Sequence, residues 1–416
     1  MRPACALWVA HASRLRLCLF PAGETPRGTS KTFAGQRTDS MLWIQDDESL
    51  KTYCEAAAKQ PIVAVDTEFV WVKTYHPQLG LIQLSCEEAG NALVDPLAIT
   101  DRGPLKALLE NESVVKVFHE AASDLPILRR WCGALPRNIF DTRIAAGFVG
   151  LTAKLSLKKL LNELLGVDLA KTETRTDWLQ RPLTSRQLEY AAEDVQYMPK
   201  ACVLLKEKLE ALGNAACFEA EMAEYSQESY YQEVDETKAW MRVSGNNLFN
   251  GRQLAILSEL ARWREVEART KDIARPRIVS DEQIVMIVQS MPKDLAELHH
   301  RTNMWPKTVE RYGDAILACL ERGKAIPETD FPKRRTIPMD VRVLKQRADR
   351  VLSLIEKRAT ARQIDSVLVG SRRDAESLVM AAEEKAWPFQ HRLLEGWRRE
   401  VLGDVIVQMI QSHFAK

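Results

Sequence analysis

The chain has 416 residues, enough for two to four domains at roughly 100–200 residues each. Hydrophobic side chains make up 46% of it, so it folds rather than staying disordered. The longest apolar runs, about seven residues, fall far short of the roughly 20 that a membrane span needs.

The formal charge of +1 hides an uneven distribution. Residues 1–40 sum to +4, residues 41–240 to −10 and residues 241–416 to +7. An acidic body followed by a basic one suggests two jobs on one chain, although two ordinary domains of different pI give the same arithmetic. The eight cysteines form no C-x-x-C and pair with no histidine at zinc spacing, so they read as reduced thiols of a cytosolic protein.

Residues 1–40 are rich in Arg, Ser and Gly and carry no acid before Glu24. They read as a disordered tail: either a transit peptide or a start placed too far upstream, since Met41 opens the first patterned segment. From residue 61 the pattern is strand-like. PIVAVD, LGLIQLSC and NALVDPL are three strands with short connections, as in a meander, and VVKVFHE at 114–120 is a fourth. AASDLPILRRWC is a helix stopped by Gly133, and NIFDTRIAAGFVG a short strand running into a helix. SLKKLLNELLGV is amphipathic, with Ser156 as N-cap and Gly166 as terminator. Thr184 and Gln187 are spaced as a capping box for the helix LTSRQLEYAAEDVQYM, which Pro199 breaks or kinks. Strands first with helices mixed in afterwards make residues 41–213 an α/β domain.

Residues 214–246 are acidic and read as a linker. Residues 247–325 form a small all-α bundle, with Leu254, Leu257, Leu260 and Ala261 near one helix face and Ser280 as an N-cap. A polar, proline-bearing stretch separates it from a last helical segment at 340–416, of similar length and open to being a diverged second copy.

Three motifs carry chemistry. In VAVDTEF, Asp66 and Glu68 alternate along a strand and so project from one face. Two carboxylates held together are costly unless a cation sits between them. Asp124 lies early in the helix after the fourth strand, where charge compensation of the helix end explains it equally well. Tyr190 and Asp194, four residues apart, share a helix face; alone they read as a core tyrosine and a solvated acid.

Taken in order, D-x-E, Asp124 and Y-x-x-x-D resemble the DEDD superfamily of 3′→5′ exonucleases in its tyrosine-bearing branch. DTEFVWVKTYHPQLGLIQLS at 66–85, VFHEAASDLPIL at 117–128, IFDTRIAAGF at 139–148 and YAAEDVQYM at 190–198 narrow the resemblance to the ribonuclease D family. RQLAILSELARWREVEARTKDIARPRIVSDEQI at 252–284 resembles the HRDC domain that follows the nuclease there.

The resemblance implies an α/β ribonuclease H-like exonuclease domain, a mixed sheet flanked by helices, followed by one or two small all-α HRDC-type bundles. It implies a hydrolytic exoribonuclease that releases 5′-mononucleotides and trims structured RNAs such as tRNA precursors in the cytoplasm, with organellar targeting by residues 1–40 as the alternative. Asp66, Glu68, Asp124 and Asp194 would bind two divalent ions, Mg²⁺ in preference to Mn²⁺, because all-oxygen ligands suit hard cations. Tyr190 would orient the attacking water.

Phe69 is a candidate for stacking on the terminal base, and His119 for touching the phosphate; each is equally explained as packing. Asp141 resembles a family residue without being a ligand, and Gln83 has no derivable role. Among the basic residues of the first bundle (Arg262, Arg264, Arg269, Lys271, Arg275 and Arg277), Arg269, Lys271 and Arg275 are the candidate RNA contacts, and residues 331–360, at +6, are more plainly basic. The rivals are a DNA exonuclease of the same branch and a non-catalytic RNA-binding protein. Oligomeric state is not readable.

Overall fold

A computed structural model describes residues 37–38, 41–169, 176–233, 235–334, 339–384 and 387–413. The reading of residues 1–40 as a tail therefore lies outside the described residues, apart from Arg37–Thr38. Those two form β1, an antiparallel edge on β2 (Met41–Ile44).

Helix α1 (Asp47–Ala57) follows, capped by Asp46, whose side chain accepts from the Ser49 amide at 2.8 Å. The three expected strands are β3 (Ile62–Val70), β4 (Gln78–Cys86) and β5 (Gly90–Val94), an antiparallel meander that pairs Asp66 with Gln83. β3 outruns its apolar stretch. Pairing with β4 carries it through Glu68 to Val70, with a bulge between Glu68 and Phe69. Both carboxylates thus lie within the strand, where β4 pairs it on one side and the pairing with β6 has ended at Ala64.

After α2 (Gly103–Glu110) comes β6 (Val115–Phe118), parallel to β3. After α3 (Ala121–Cys132) comes β7 (Ile139–Asp141), parallel to β6. The seven strands lie in the order β1-β2-β5-β4-β3-β6-β7. β4 is buried from Leu79 to Cys86, which is why LGLIQLSC is almost continuously apolar: both of its faces are covered. Helices α4 (Thr142–Phe148), α5 (Leu157–Leu165), α6 (Ser185–Gln196) and α7 (Met198–Ala211) complete the α/β body. The Thr184–Gln187 capping box forms, and the chain breaks at Tyr197 so that Pro199 falls in the first turn of α7, where its missing N–H costs nothing.

Residues 214–246, read as a linker, are divided between two cores. Cys217, Phe218 and Met222 of α8 (Ala215–Met222) join the α/β core, whereas Ala239, Trp240 and Val243 join the next one. That second core is built by α9 (Gly251–Lys271), α10 (Arg275–Ile278), α11 (Asp281–Ser290), α12 (Leu295–Thr302) and α13 (Pro306–Ala325). α9 and α13 cross so closely that a Cβ on Gly323 would lie 2.6 Å from the Ile256 Cα.

The last segment comprises α14 (Val341–Ala361), α15 (Ser366–Val369), α16 (Arg372–Glu384), α17 (Gly396–Leu402) and α18 (Asp404–His413). Its opening repeats that of the first bundle. After α9, Asp272 takes φ 49° and the Ile273 amide donates to the Ala268 carbonyl at 2.9 Å. After α14, Gln363 takes φ 53° and the Ile364 amide donates to the Ala359 carbonyl at 2.9 Å. A four-residue helix and then a serine, Ser280 or Ser371, follow at the same interval in each.

This terminal bundle shares one apolar core with the α/β body, through Ile355, Leu368, Val369 and Trp397. Polar bonds seal the joint. The Asn214 amide donates to the Phe148 and Arg362 carbonyls at 2.8 and 2.9 Å, and Asp365 accepts from Thr152 Oγ1 and the Ala153 amide at 3.0 and 2.8 Å. Trp397 and Arg398 both donate to Glu221 at 2.9 Å.

Candidate active site

α6 packs over the sheet face that carries Asp66 and Glu68. Leu81, Leu93, Trp178, Leu183 and Ala191 form the seam, with Tyr190 at its edge. One turn beyond Tyr190, Asp194 reaches the strand carboxylates: oxygens of Asp66, Glu68 and Asp194 all lie within 4.8 Å of one another. Asp124, in the first turn of α3, is the fourth acid. Its charge bears on Asp66, and its Oδ1 accepts a short hydrogen bond from the Thr67 hydroxyl. The structure therefore gathers Asp66, Glu68, Asp124, Asp194 and Tyr190 in one place.

Burial is the first cause of every pKa shift in the cluster, and like charge adds to it. Burial, then Asp124, Asp194 and Glu68, hold Asp66 well above the usual carboxylate range. Burial, then Asp194 and Asp124, push Glu68 up to about 8. Burial raises Asp124 to about 7 against the opposing Thr67 bond, and raises Asp194 to about 6 against a hydrogen bond from Tyr190. Four carboxylates that cannot all ionise in a dry site are what divalent cations relieve, and an all-oxygen set fits hard cations. The residues present therefore fit the divalent ions that the resemblance implies.

Tyr190 hydrogen-bonds Asp194, and burial lifts its phenol pKa far above neutral, so it stays protonated. Its ring lies 6.2 Å from that of Trp178. Trp178 belongs to a segment that sequence reasoning missed. Arg181 clamps that segment to the sheet, donating through Nε and Nη2 to Asp95 at 2.8 and 2.7 Å, and to the Gly80 and Trp178 carbonyls at 2.7 and 2.9 Å. Gly80 admits the approach, since a Cβ there would sit 2.6 Å from the Trp178 oxygen. Asp95 and Arg181 stand 86 positions apart, and nothing local in the sequence pairs them. Thr67 was missed too, although its place inside D-x-E was a signal.

Several candidates have other work. His119 places its ring nitrogens 2.9 Å from Thr142 Oγ1 and 3.1 Å from the Leu155 carbonyl, and burial drops its pKa to about 4. It is a neutral, satisfied histidine with no nitrogen left for a phosphate, which corrects that reading. Phe69 is half-buried against the main core. Asp141 accepts from the amides of Glu120, Ala121, Arg143 and Ile144, tying α3 to α4. Gln83, across the strand pair from Asp66, is fully buried with neither amide atom bonded.

The proposed RNA contacts in the first bundle are corrected likewise. Arg275 forks onto the buried Glu265 at 2.5 and 2.6 Å and lies over Tyr75, whose hydroxyl donates to the same Glu265 at 2.5 Å. Arg269 is held by Glu233 and Glu236 at 2.8 and 3.0 Å, and Lys271 pairs with Glu267. Tyr75 lies on the β3–β4 loop, so the Arg275–Glu265 pair fastens the bundle to the strand carrying the carboxylates. The His76 amide donates to Asp272, and the Ala274 amide to the Lys73 carbonyl, each at 3.0 Å.

Comparison with known proteins agrees with this arrangement. Residues 41–210 match a family described as 3′-5′ exonuclease, and residues 253–320 match the HRDC domain. The chain is 34% identical over 377 residues to ribonuclease D of Escherichia coli, covering 89% of this chain and 98% of that one. It is 32% identical over 390 residues to ribonuclease D of Pseudomonas paraeruginosa, with 89% and 98% covered. The crystal structure of Escherichia coli RNase D, an exoribonuclease involved in structured RNA processing, matches with a TM-score of 0.81 at 34% identity, over 90% of this chain and 99% of that one. With this identity and coverage across both domains, the chain belongs to the ribonuclease D family of DEDD 3′→5′ exoribonucleases.

Proposed function

We propose that this exoribonuclease trims 3′ tails of structured RNAs, tRNA precursors among them, in the cytoplasm, releasing 5′-mononucleotides with two Mg²⁺ ions. The observation that carries the reading is the convergence of three carboxylates within 4.8 Å, with Asp124 and Tyr190 beside them. Asp66, Glu68, Asp124 and Asp194 would hold the ions, whose chemistry when bound would be to activate water and to balance charge on the scissile phosphate. Tyr190 orients the attacking water. Its phenol, kept protonated by burial, positions rather than accepts a proton. Thr67 steadies Asp124, and the Arg181–Asp95 clamp steadies the segment against which Tyr190 rests.

Residues 41–213 are the nuclease and 247–325 the HRDC domain. Residues 340–416 are a second HRDC-type copy, a reading supported by the matching turns at Asp272 and Gln363. The exposed, basic α14 suits phosphates: Arg342, Lys345, Arg350 and Lys357 have no ion-pair partner among the described residues. No helix among the described residues is long and apolar enough to cross a membrane.

The test is a gel assay on 3′-tailed hairpin RNA and matched DNA, in Mg²⁺ or EDTA. The expected result is Mg²⁺-dependent 3′ shortening of RNA that slows at the duplex. Equal or faster loss of DNA would replace RNA with DNA as substrate, and no shortening of either would remove the catalytic reading.

A further inference from the structure

Six basic residues stand out in the HRDC domain, and five are spent. Arg262 pairs with Glu259, Arg264 with Asp281, Arg269 with Glu233 and Glu236, Lys271 with Glu267, and Arg275 with Glu265. Arg277 is exposed, and no carboxylate or other partner engages it among the described residues. It lines an open cavity of about 390 Å³ together with Trp305, Ser280, Gln283 and Thr308. Trp305 is 78% exposed, an unusual state for the largest aromatic side chain. Gln283 spends its carbonyl oxygen on the Ser280 amide at 3.0 Å, which leaves its NH₂ group available.

A free guanidinium, an uncovered indole and an amide donor around a cavity in the size range of small-ligand sites are the groups that bind one nucleotide of a single strand. The indole stacks on the base, the guanidinium takes the phosphate, and the amide meets base or ribose oxygens. The position fits. Arg277 lies two residues beyond Arg275, on the short helix α10 that grips the β3–β4 loop through Tyr75. One short helix thus lines the cavity with Arg277 and meets the β3–β4 loop with Arg275.

We propose that Arg277 and Trp305 form a binding site for one unpaired nucleotide of the RNA substrate, outside the hydrolytic centre. This rests on the nuclease reading above. A protein partner, which exposed Trp and Arg also attract, is the alternative occupant.

The test uses the full chain and a hairpin RNA with a 3′ tail, bound in EDTA across a salt series, beside hydrolysis of a trinucleotide in Mg²⁺. Trp305→Ala should weaken hairpin binding about 5- to 150-fold, the value of one stacked base, and leave the slope of log affinity on log salt unchanged. Trp305→Phe should recover most of the loss. Arg277→Gln should weaken binding and flatten that slope by about 0.7, one phosphate contact on a single strand. Trinucleotide hydrolysis should stay at the wild-type level in all three. Unchanged hairpin affinity in Trp305→Ala and Arg277→Gln would overturn the proposal and leave the cavity to a protein. Equal losses on hairpin and trinucleotide would overturn it in favour of a structural role. A wild-type protein that binds the hairpin with these differences but does not shorten it would instead sink the nuclease reading and leave the site standing.

Discussion

The crowding of carboxylates has a measurable consequence for stability, and Asp194→Asn isolates it. Each acid of the cluster has a pKa in the folded, metal-free protein above its unfolded value, so the native state binds protons that the unfolded state has released. Stability in EDTA must therefore fall as pH rises from about 4 through 8. Glu68 alone, raised from 4.5 to about 8, loses about 2 kcal/mol between pH 6 and 8, at 1.36 kcal/mol per unit. In a domain of 150–250 residues that lowers the melting temperature by roughly 4–8 °C. Asn at position 194 removes the largest like-charge contribution on Glu68 but leaves its burial. The variant should melt in EDTA at or above the wild type at pH 8, with a shallower pH dependence. It should also lose most of the rise in melting temperature that Mg²⁺ gives the wild type, and turnover should drop by several orders of magnitude. Scanning fluorimetry at pH 6, 7 and 8, with EDTA and with Mg²⁺, measures all but the last. A wild-type melting temperature that climbs from pH 6 to 8 in EDTA would refute the reasoning, as would Mg²⁺-dependent activity surviving in Asp194→Asn.

Tyr190→Phe keeps the ring and removes one hydrogen bond to the water; kcat should fall about 10²- to 10³-fold at unchanged RNA affinity, and a rise in KM alone would make Tyr190 a binding residue. Gln83→Met removes two buried, unbonded polar atoms at nearly constant volume, so the metal-free melting temperature should rise; a fall would mean that the amide has a partner in solution. Arg275→Ala strands the buried Glu265 and should cost about 3 kcal/mol or more of stability, seen in urea unfolding, whereas weaker RNA binding at unchanged stability would restore Arg275 as a phosphate contact. A fragment ending near Trp240 should be aggregation-prone, not a free-standing nuclease, because it uncovers the core face against which Leu368, Val369 and Trp397 pack; a soluble, active fragment with a wild-type melting temperature would contradict that shared core.

The parts legible in the sequence were those with a local period. Alternation put Asp66 and Glu68 on one strand face, helical spacing put Tyr190 and Asp194 on one helix face, and Thr184 and Gln187 announced where that helix starts. Asp124 had no such signal and came into view only through its order among the other motifs. What stayed hidden was long-range pairing. The Arg181–Asp95 clamp spans 86 positions and the Tyr75–Glu265 bond spans 190, distances over which no pattern in one sequence links two polar residues. The boundary at 214–246 misled for a related reason. An acidic segment without a strong period looks like a linker, yet Phe218 and Trp240 each fill a different core, and isolated aromatics carry no periodicity to reveal it.

Net charge misled in a more instructive way. The C-terminal half carries the surplus of positive charge, and the simple inference is that all of it faces the RNA. In the HRDC domain that surplus is mostly internal currency: Arg264 and Arg275 grip Asp281 and Glu265 to hold helices together, and Arg269 reaches back to Glu233 and Glu236. A guanidinium committed to a carboxylate at 2.5–3.0 Å releases no counterion when a phosphate approaches, so it adds little to the salt dependence of binding. Affinity for RNA follows the cations left over. By that criterion Arg277 outweighs Arg275, its neighbour but one. The unpaired basic residues along α14 outweigh the denser cluster on α9, and the terminal bundle that bears them is welded to the nuclease core through Asn214, Asp365 and Glu221. On the proposed reading, in which α14 holds the RNA, that face sits on a bundle sharing one apolar core with the nuclease, so the span between the face and the carboxylates, not a tether, would set how close to a duplex the 3′ end is trimmed.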